Sequence, residues 1–121
     1  MPGKTEKPSF PPLTPAMFHI LLALADGEKH GYAILKEVTR RTEGKVKLSV
    51  ATLYGNLARL ESDGLIAESS RRPEAVLDDE RRRYYLLTAH GREAAVAEAE
   101  RMEEALEQAR AKKLFRKPKL A

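Results

Sequence analysis

The sequence predicts a mainly α-helical domain with one small β-hairpin and a long final helix. Two observations support this fold class. Apolar residues recur at helical spacing in four segments, and two short runs rich in aromatic and branched residues lie between the third and fourth segments. The length of 121 residues fits one domain with one modest core. Hydrophobic residues make up 42% of the chain and charged residues 33%, which argues against general disorder.

The chain begins with a segment rich in Pro and Lys, residues 1–12, which lacks periodicity and is predicted to be a flexible arm. The first helix is predicted over residues 15–26, with Thr14 as its N-cap and Pro15 at its first position. Its apolar residues cover nearly all sides, and a helix of that kind must be buried on all sides. In a domain this small, the excess suggests that a partner subunit covers one of them.

Two further helices follow. One is predicted over residues 31–42, and the next begins after Ser49, a good N-cap, and ends at Gly64. The face opposite its apolar residues holds Gly55, which costs a helix about 1 kcal/mol relative to Ala. This glycine is either neutral or allows another surface to come close. Apolar residues at steps of three, four and three form one predicted buried stripe: Val50, Leu53, Leu57 and Leu60.

The two strand-like runs span residues 65–71 and 81–87, and the loop between them favours a hairpin because it holds a Pro and three consecutive acids. The last helix is predicted over residues 88–111, with Thr88 as its N-cap. This segment carries a net charge of −3, whereas the tail, residues 112–121, carries +5. Side chains spaced 4, 3, 4 and 3 form a short heptad seam: Ala95, Ala99, Met102, Leu106 and Ala109.

Three short helices followed by a hairpin form the element order of a winged helix-turn-helix. We therefore expect residues 13–87 to form such a domain, with the third helix as its recognition helix. Residues 88–111 are predicted to form a C-terminal dimerisation helix. The predicted dimer interface combines the first helix with the heptad seam through Met17, Phe18, Leu21, Ala95, Ala99, Met102, Leu106 and Ala109.

Positive charge is concentrated where this fold would meet double-stranded DNA. Between Lys45 and Leu60 there are three positive residues and no acidic one, and a second arginine cluster lies at the hairpin. Affinity for DNA comes mostly from Lys and Arg contacts to phosphates, whereas Asn and Thr suit base edges. Tyr54 is either a DNA contact or a core-edge aromatic. The candidate DNA-contact residues are Lys45, Lys47, Ser49, Thr52, Tyr54, Asn56, Arg59, Arg71, Arg72, Arg81 and Arg82.

Several other classes of function are excluded or unsupported. The chain has no cysteine, so disulfides, thiolate catalysis and Cys-ligated zinc are ruled out. A nucleotide-binding glycine loop is absent, and the three histidines lie on separate elements without paired ligand spacing. We therefore expect no enzymatic activity, no metal site and no cofactor. No apolar run approaches roughly 18 residues and the match to a signal peptide is poor, so we expect a cytoplasmic protein without a membrane span.

Three stretches give the sequence a more specific likeness. They are residues 30–34 (HGYAI), residues 51–66 (ATLYGNLARLESDGLI) and residues 83–91 (RYYLLTAHG). Together they resemble the PadR family of bacterial transcriptional regulators, in the right order and spacing, over about residues 13–110. The single helix at the C-terminal end is similar to that of the short members of the family.

The resemblance implies a homodimeric repressor in which the last helix packs with the first helix of the partner. Its ligand, where there is one, would bind near the dimer interface. By position, Tyr54 would contact DNA with Thr52 beside it, the hairpin arginines would contact the backbone, and Gly64 and Gly91 would be turn residues. Some members stack drug-like ligands on an interface Trp, and this chain has no Trp.

A sequence-specific regulator that acts on an inverted-repeat operator is therefore the first functional hypothesis. The alternative is a winged-helix module that binds another protein or senses an effector without binding DNA. The basic predicted groove-facing surface favours the regulator.

Overall fold

The computed structural model describes residues 9–69 and 83–116. Within these residues the fold is mainly helical with a small antiparallel sheet, as the sequence predicts. The elements in chain order are α1 (Pro15–Ala23), β1 (Lys29–His30), α2 (Gly31–Arg41), α3 (Val50–Ser62), β2 (Ile66–Glu68), β3 (Tyr84–Leu87) and α4 (Ala89–Ala111).

The sheet has three strands in the order β1-β3-β2 rather than the two of the predicted hairpin. β2 and β3 are antiparallel, with Ile66 opposite Leu87 and Glu68 opposite Tyr85. The additional strand, β1, pairs with the other edge of β3 and places His30 opposite Tyr84. A two-residue strand shows no alternation along the sequence, so its pattern could not be detected. The predicted hairpin loop lies outside the described residues.

Each helix begins at a side chain that accepts a hydrogen bond from the backbone of the first turn. Thr14, Ser49 and Thr88 do so as predicted. For α2 the acceptor is Nδ1 of His30, 3.1 Å from the backbone nitrogen of Ala33. These four caps satisfy backbone donors that the helices cannot satisfy themselves, which sets where each helix starts.

α1 ends at Ala23, three residues earlier than predicted. The Nζ of Lys29 donates to the carbonyl oxygen of Ala23 at 2.7 Å and forms an ion pair with Asp26 at 2.6 Å. The cation thereby satisfies one of the carbonyls at the helix end and favours termination there. The chain then turns through Gly27, whose φ of 147° is open to glycine and rare for other residues.

One hydrophobic core joins the three helices of the N-terminal half to the sheet and to the start of α4. The predicted stripe of α3 is buried except for Val50, which is 55% exposed. Val50 is the first residue of the helix and precedes the point at which α3 reaches the core. The fully buried large side chains are Ile20, Leu21, Leu24, Ile34, Val38, Leu53, Leu57, Leu60 and Ile66.

Thr88 joins α4 to the end of the recognition helix. Its hydroxyl lies 2.7 Å from the carbonyl oxygen of Gly64 and 3.0 Å from that of Leu65, and it also accepts from the backbone N–H of Gly91. A Cβ atom at Gly91 would collide with the carbonyl oxygen of Leu65 and lie 2.9 Å from Cδ1 of Leu87. Gly91 is therefore required by close packing of α4 on the backbone of Leu65, just before β2, rather than by a turn.

The N-terminal segment is not a free arm over its whole predicted length. Arg101 of α4 donates to the carbonyl oxygens of Phe10 and Pro11 at 3.1 and 3.3 Å. Glu98, which is 9% exposed, accepts from the backbone N–H of Leu13 at 3.0 Å and pairs with Arg101. Phe10 and Pro11 are therefore hydrogen-bonded to α4, although both lie within the flexible arm predicted for residues 1–12. Residues 1–8 lie outside the described residues.

Candidate nucleic-acid interface

The exposed face of α3 is built largely from small side chains. Leu53, Leu57 and Leu60 point into the core, so the opposite face of the helix turns to solvent. Along its length this face presents Ala51, Gly55 and Ala58, all exposed, with Thr52 and Arg59 beside them. The helix therefore has a smooth outer surface on which the backbone itself is accessible.

Ser49 and Thr52 are hydrogen-bonded to each other at the start of α3. The Oγ of Ser49 accepts from the backbone N–H of Thr52 at 3.0 Å and lies 2.9 Å from the Oγ1 of Thr52. Ser49 was predicted as a DNA contact, but its hydroxyl caps the helix and is engaged within the protein. Thr52 is exposed, and a threonine methyl suits contact with a thymine methyl.

Asn56 is half-buried and its amide nitrogen donates to the carbonyl oxygen of Thr52 at 2.9 Å. Reading adenine requires both the amide oxygen and the amide nitrogen of Asn. In this conformation the nitrogen is engaged with the helix backbone. For Asn56 to contact an adenine edge through both groups, its side chain would have to break this hydrogen bond to Thr52.

Tyr54 lies at the edge of the core, which is one of its two predicted roles. Its side chain is half-buried and packs on the core cluster. A Cβ atom at Gly31 would lie 2.8 Å from the Tyr54 hydroxyl, so the ring rests directly over the start of α2. The contact holds the two helices of the helix-turn-helix together and explains why position 31 is a glycine.

Exposed cations flank α3. Lys45 and Lys47 precede it and have no ion pair within residues 9–69 and 83–116. Arg59 pairs with Asp63 at 3.3 Å, but the two side chains are 70% and 45% exposed, so water weakens this attraction and leaves Arg59 available to a phosphate.

The hairpin end of the predicted interface is only partly described. Arg71, Arg72, Arg81 and Arg82 lie outside the described residues. Arg83, the first described residue after that gap, is exposed and lies 3.7 Å from Glu68 on β2. The described part of the candidate interface therefore consists of α3, the segment before it and Arg83.

The predicted dimer residues fall into two groups. Leu21 is fully buried within the single chain, so a partner cannot contact it, and its assignment to the interface is corrected. It occupies the inward face of α1, which the even spread of apolar residues along this helix did not reveal. Met17 and Ala95 are half-buried and pack on the core of the same chain.

The remaining predicted dimer residues are accessible. Phe18 and Ala109 are half-buried, while Ala99, Met102 and Leu106 are exposed. Val96, which the heptad spacing did not select, is also exposed, at 51%. It lies about a quarter of a turn around α4 from the seam, so the heptad spacing does not include it.

Comparison with known proteins identifies the family. The sequence profile described as the transcriptional regulator PadR-like family matches residues 20–97. The chain belongs to this family. Transcriptional regulator Rv3488 of Mycobacterium tuberculosis is 38% identical to this PadR-family protein over 86 residues, which are 71% of this chain and 74% of that relative.

Solved structures support the same assignment for this PadR-family protein. A PadR family transcription regulator from Clostridium difficile has a TM-score of 0.68 and 26% identity, covering 79% of this chain and 95% of that one. A transcriptional regulator from Clostridium thermocellum has a TM-score of 0.65 and 27% identity, covering 79% and 87%. The protein is thus a regulator of transcription of the PadR family, whose members act on DNA rather than as enzymes. Across residues 9–69 and 83–116, the helices are too short or too polar to cross a membrane.

Proposed function

We propose that this PadR-family protein is a homodimeric repressor that binds an inverted-repeat operator, with α3 in the major groove and with a small-molecule effector near the dimer interface. The main support for the proposal is an uncovered apolar face on the second half of α4. In the first half of the helix the same face packs on the domain.

Helical spacing defines that face. Gly91, Ala94 and Glu98 are buried against the domain. Continuing from Glu98 in two steps of four leads to Met102, 39% exposed, and Leu106, 46% exposed. Apolar side chains on a helix face gain about 25 cal/mol per Å² when another surface covers them. A second copy of the chain would supply that surface, since a twofold axis lets each α4 cover the other's seam.

The arrangement of two recognition helices sets the form of the operator. In a twofold dimer the two copies of α3 present the same residues in opposite directions along the duplex. Their targets are then two half-sites in inverted orientation, with centres about 10 base pairs apart or at a multiple of that distance. Lys45, Lys47 and Arg59 would contact phosphates beside each half-site, and Thr52 would contact a base edge.

The effector part of the proposal rests on α1. Phe18 and Leu22 are half-buried on the side of α1 away from the core. The Nδ1 atom of His19, whose ring lies edge-on to Phe18 at 5.7 Å, is buried and has no hydrogen-bond partner among the described residues. The partly exposed Phe18 and Leu22 side chains suit a mostly apolar ligand, and a change that opens this side of α1 would make the Nδ1 atom of His19 available to one hydrogen-bonding group.

The test combines selection and mass measurement. Duplexes enriched from a random pool by the wild-type protein should contain an inverted repeat, and sedimentation at micromolar concentration should give about twice the 13.6 kDa chain mass. Enrichment of a single unrepeated half-site, or a folded monomer of 13.6 kDa, would contradict the dimeric arrangement. A wild-type protein that enriches no sequence at all would favour the alternative, a module that binds a protein or an effector without reading DNA.

The repressor assignment needs a separate measurement. A reporter gene placed behind the enriched repeat should be transcribed less when the protein is present and regain its expression when α3 carries Arg59→Ala together with Lys47→Ala. Higher expression with the protein present would identify an activator instead.

A further inference from the structure

We propose that Gly55 is the specificity-determining position of α3, because its missing side chain leaves a notch that receives the C5-methyl group of a thymine in the major groove. This inference rests on the proposed function and names the chemical group that the recognition helix would read. Three observations carry it: the place of Gly55 on the helix, the absence of a packing or backbone reason for this glycine, and the apolar surface around it.

Gly55 lies at the centre of the exposed face of α3. The side chains of Leu53, Leu57 and Leu60 are buried in the core. At about 3.6 residues per turn, position 55 is half a turn around the helix from the middle of this buried face, and it is exposed. A helix in the major groove offers its outward face to base edges, so the backbone at residue 55 would face the bases directly.

The other glycines within residues 9–69 and 83–116 each have a reason inside the chain. Three adopt a positive φ, in which other residues are strained: Gly27, Gly44 and Gly64. Two lie where a Cβ atom would come closer than 3.0 Å to a neighbouring atom: Gly31 and Gly91.

Gly55 has neither reason. It lies in the interior of α3 without a positive φ, and a Cβ atom there would meet nothing within 4 Å. Glycine weakens the interior of a helix relative to alanine. An advantage that offsets this cost would therefore come from a partner that approaches α3 from outside.

The rim of the notch is mostly apolar. On a helix surface the neighbours of a residue lie three and four positions away. For Gly55 three of these neighbours, Ala51, Thr52 and Ala58, are exposed and carry methyl groups. The fourth, Arg59, has its Nε 3.3 Å from the carboxylate of Asp63, so its charged group is directed toward the end of the helix. The notch is therefore a gap of one Cβ atom among methyl groups.

The polar side chains nearest to the notch already have partners within the protein. The Oγ1 of Thr52 lies 2.9 Å from the Oγ of Ser49, and the amide nitrogen of Asn56 donates to the carbonyl oxygen of Thr52 at 2.9 Å. Asn56 is also half-buried, toward the flank of the helix. In the major groove the base edges present hydrogen-bonding groups and one methyl group, that of thymine. The thymine methyl is the group that an apolar notch fits.

The experiment measures affinity for the duplex enriched by the wild-type protein and for copies in which deoxyuridine replaces thymine, one symmetric pair of half-site positions at a time. This replacement keeps base pairing and removes only the methyl group. At one pair of positions we expect wild-type affinity to fall about fourfold per half-site, which corresponds to the burial of one methyl group.

Gly55→Ala supplies the other side of the comparison. We expect it to bind the thymine duplex about tenfold more weakly than the wild type, because the new Cβ atom and the thymine methyl compete for one space. It should bind the uracil duplex at least as well as the thymine duplex, and it should bind scrambled DNA like the wild type. Thermal melting checks that the variant is folded. The reversed preference is a coupling between residue and methyl group that a purely structural role would not produce.

Ser62→Ala is the matched protein control, because it changes one exposed side chain on the same side of α3, two turns beyond Gly55. This variant should keep the wild-type preference for thymine. The same preference in Gly55→Ala, or half-sites in which every thymine can be replaced without loss of affinity, would overturn the inference and leave the proposed function intact. A wild-type protein that enriches no sequence would overturn the proposed function and the inference with it.

Discussion

The two halves of α4 have the same helical geometry and a continuous inward face, but only the first half is covered. In the first half, Ala94 is 1% exposed and Glu98 is 9% exposed, because α1 and the sheet lie beneath them. In the second half, Met102 and Leu106 remain 39% and 46% exposed. The contrast teaches that helical spacing identifies which residues share a face, whereas the surrounding chain decides whether that face belongs to the core or to an interface.

The boundary between the halves is held by Glu98 and Arg101, which bind the segment ahead of α1. The first half is therefore tied to the domain by packing and by hydrogen bonds to residues 10–13. Beyond Arg101, no hydrogen bond or ion pair among residues 9–69 and 83–116 ties the helix to the rest of the domain. Substitutions in the first half should thus act on the stability of one chain, and those in the second half on association.

The largest expected effect comes from Gly91→Ala in the covered half. The added Cβ would collide with the backbone oxygen of Leu65, which cannot move without displacing β2. We expect the free energy of unfolding to fall by about 3 kcal/mol, the upper range for overpacking a tight interior. Urea unfolding at one fixed protein concentration measures the effect, because the stability of a dimer depends on concentration. An unfolding midpoint equal to that of the wild type would show that α4 does not pack this closely on the backbone of Leu65.

In the uncovered half, Leu106→Asp should act on the dimer rather than on the fold. A carboxylate in the middle of the seam loses apolar contact and has no partner, which we expect to cost about 2 kcal/mol of association free energy. Gln108→Asp is the matched control, because it adds the same charge at an exposed position off the seam. Sedimentation over a range of concentrations should show weaker dimerisation only for Leu106→Asp. Equal weakening in both variants would mean that net charge, rather than the seam, controls association.

At the boundary, Glu98→Gln should produce a pH-dependent loss. The backbone N–H of Leu13 lowers the pKa of the Glu98 carboxyl below its usual range, with a further lowering by Arg101, against the raising effect of burial. The ionised form therefore stabilises the folded state at neutral pH, and this stabilisation is lost as the pH falls below the usual range for glutamate. We expect Glu98→Gln to cost about 1 kcal/mol at pH 7 and nothing once the wild-type carboxyl is protonated. A cost that stays constant down to acidic pH would show that shape, and not charge, holds the N-terminal segment.

The smallest expected effect is a gain, from Gly55→Ala on the uncovered face of α3. A Cβ atom there meets nothing within 4 Å, in contrast to Gly91. Alanine should therefore stabilise the helix by up to about 1 kcal/mol. The same urea unfolding series measures it, and a destabilised Gly55→Ala variant would contradict an open position at residue 55.

Much of the fold could be predicted from the sequence because the start of a helix depends on residues that are close together in the chain. Thr14, Ser49 and Thr88 each sit just before an apolar period, and a cap needs nothing beyond the first turn of its own helix. β1 was missed because two residues carry no period and its pairing depends on β3, more than fifty residues later. The N-terminal segment was misjudged for a similar reason, since Glu98 and Arg101 hold it from the far end of the chain.

The candidate interface was predicted in outline but not in detail. Charge clustering selected Lys45, Lys47 and Arg59, which are exposed as expected. Sequence alone could not show that Ser49 and Asn56 use their polar groups inside α3, since such bonds depend on side-chain conformation. Leu21 was assigned to the wrong surface because the apolar residues of α1 are spread around the helix, so the sequence does not show which face is buried in the core.

The single hydroxyl of Thr88 has a mechanical consequence. It bonds the first turn of α4 to Gly64 and Leu65, the residues that follow α3. Because Gly91 has no Cβ atom, α4 can pack directly on the backbone of Leu65 at this joint. The 23 residues of α4 span about 35 Å, so this joint sets the direction in which the exposed second half of the helix leaves the domain. Any surface that pairs with the exposed half of α4 is therefore oriented relative to the end of α3.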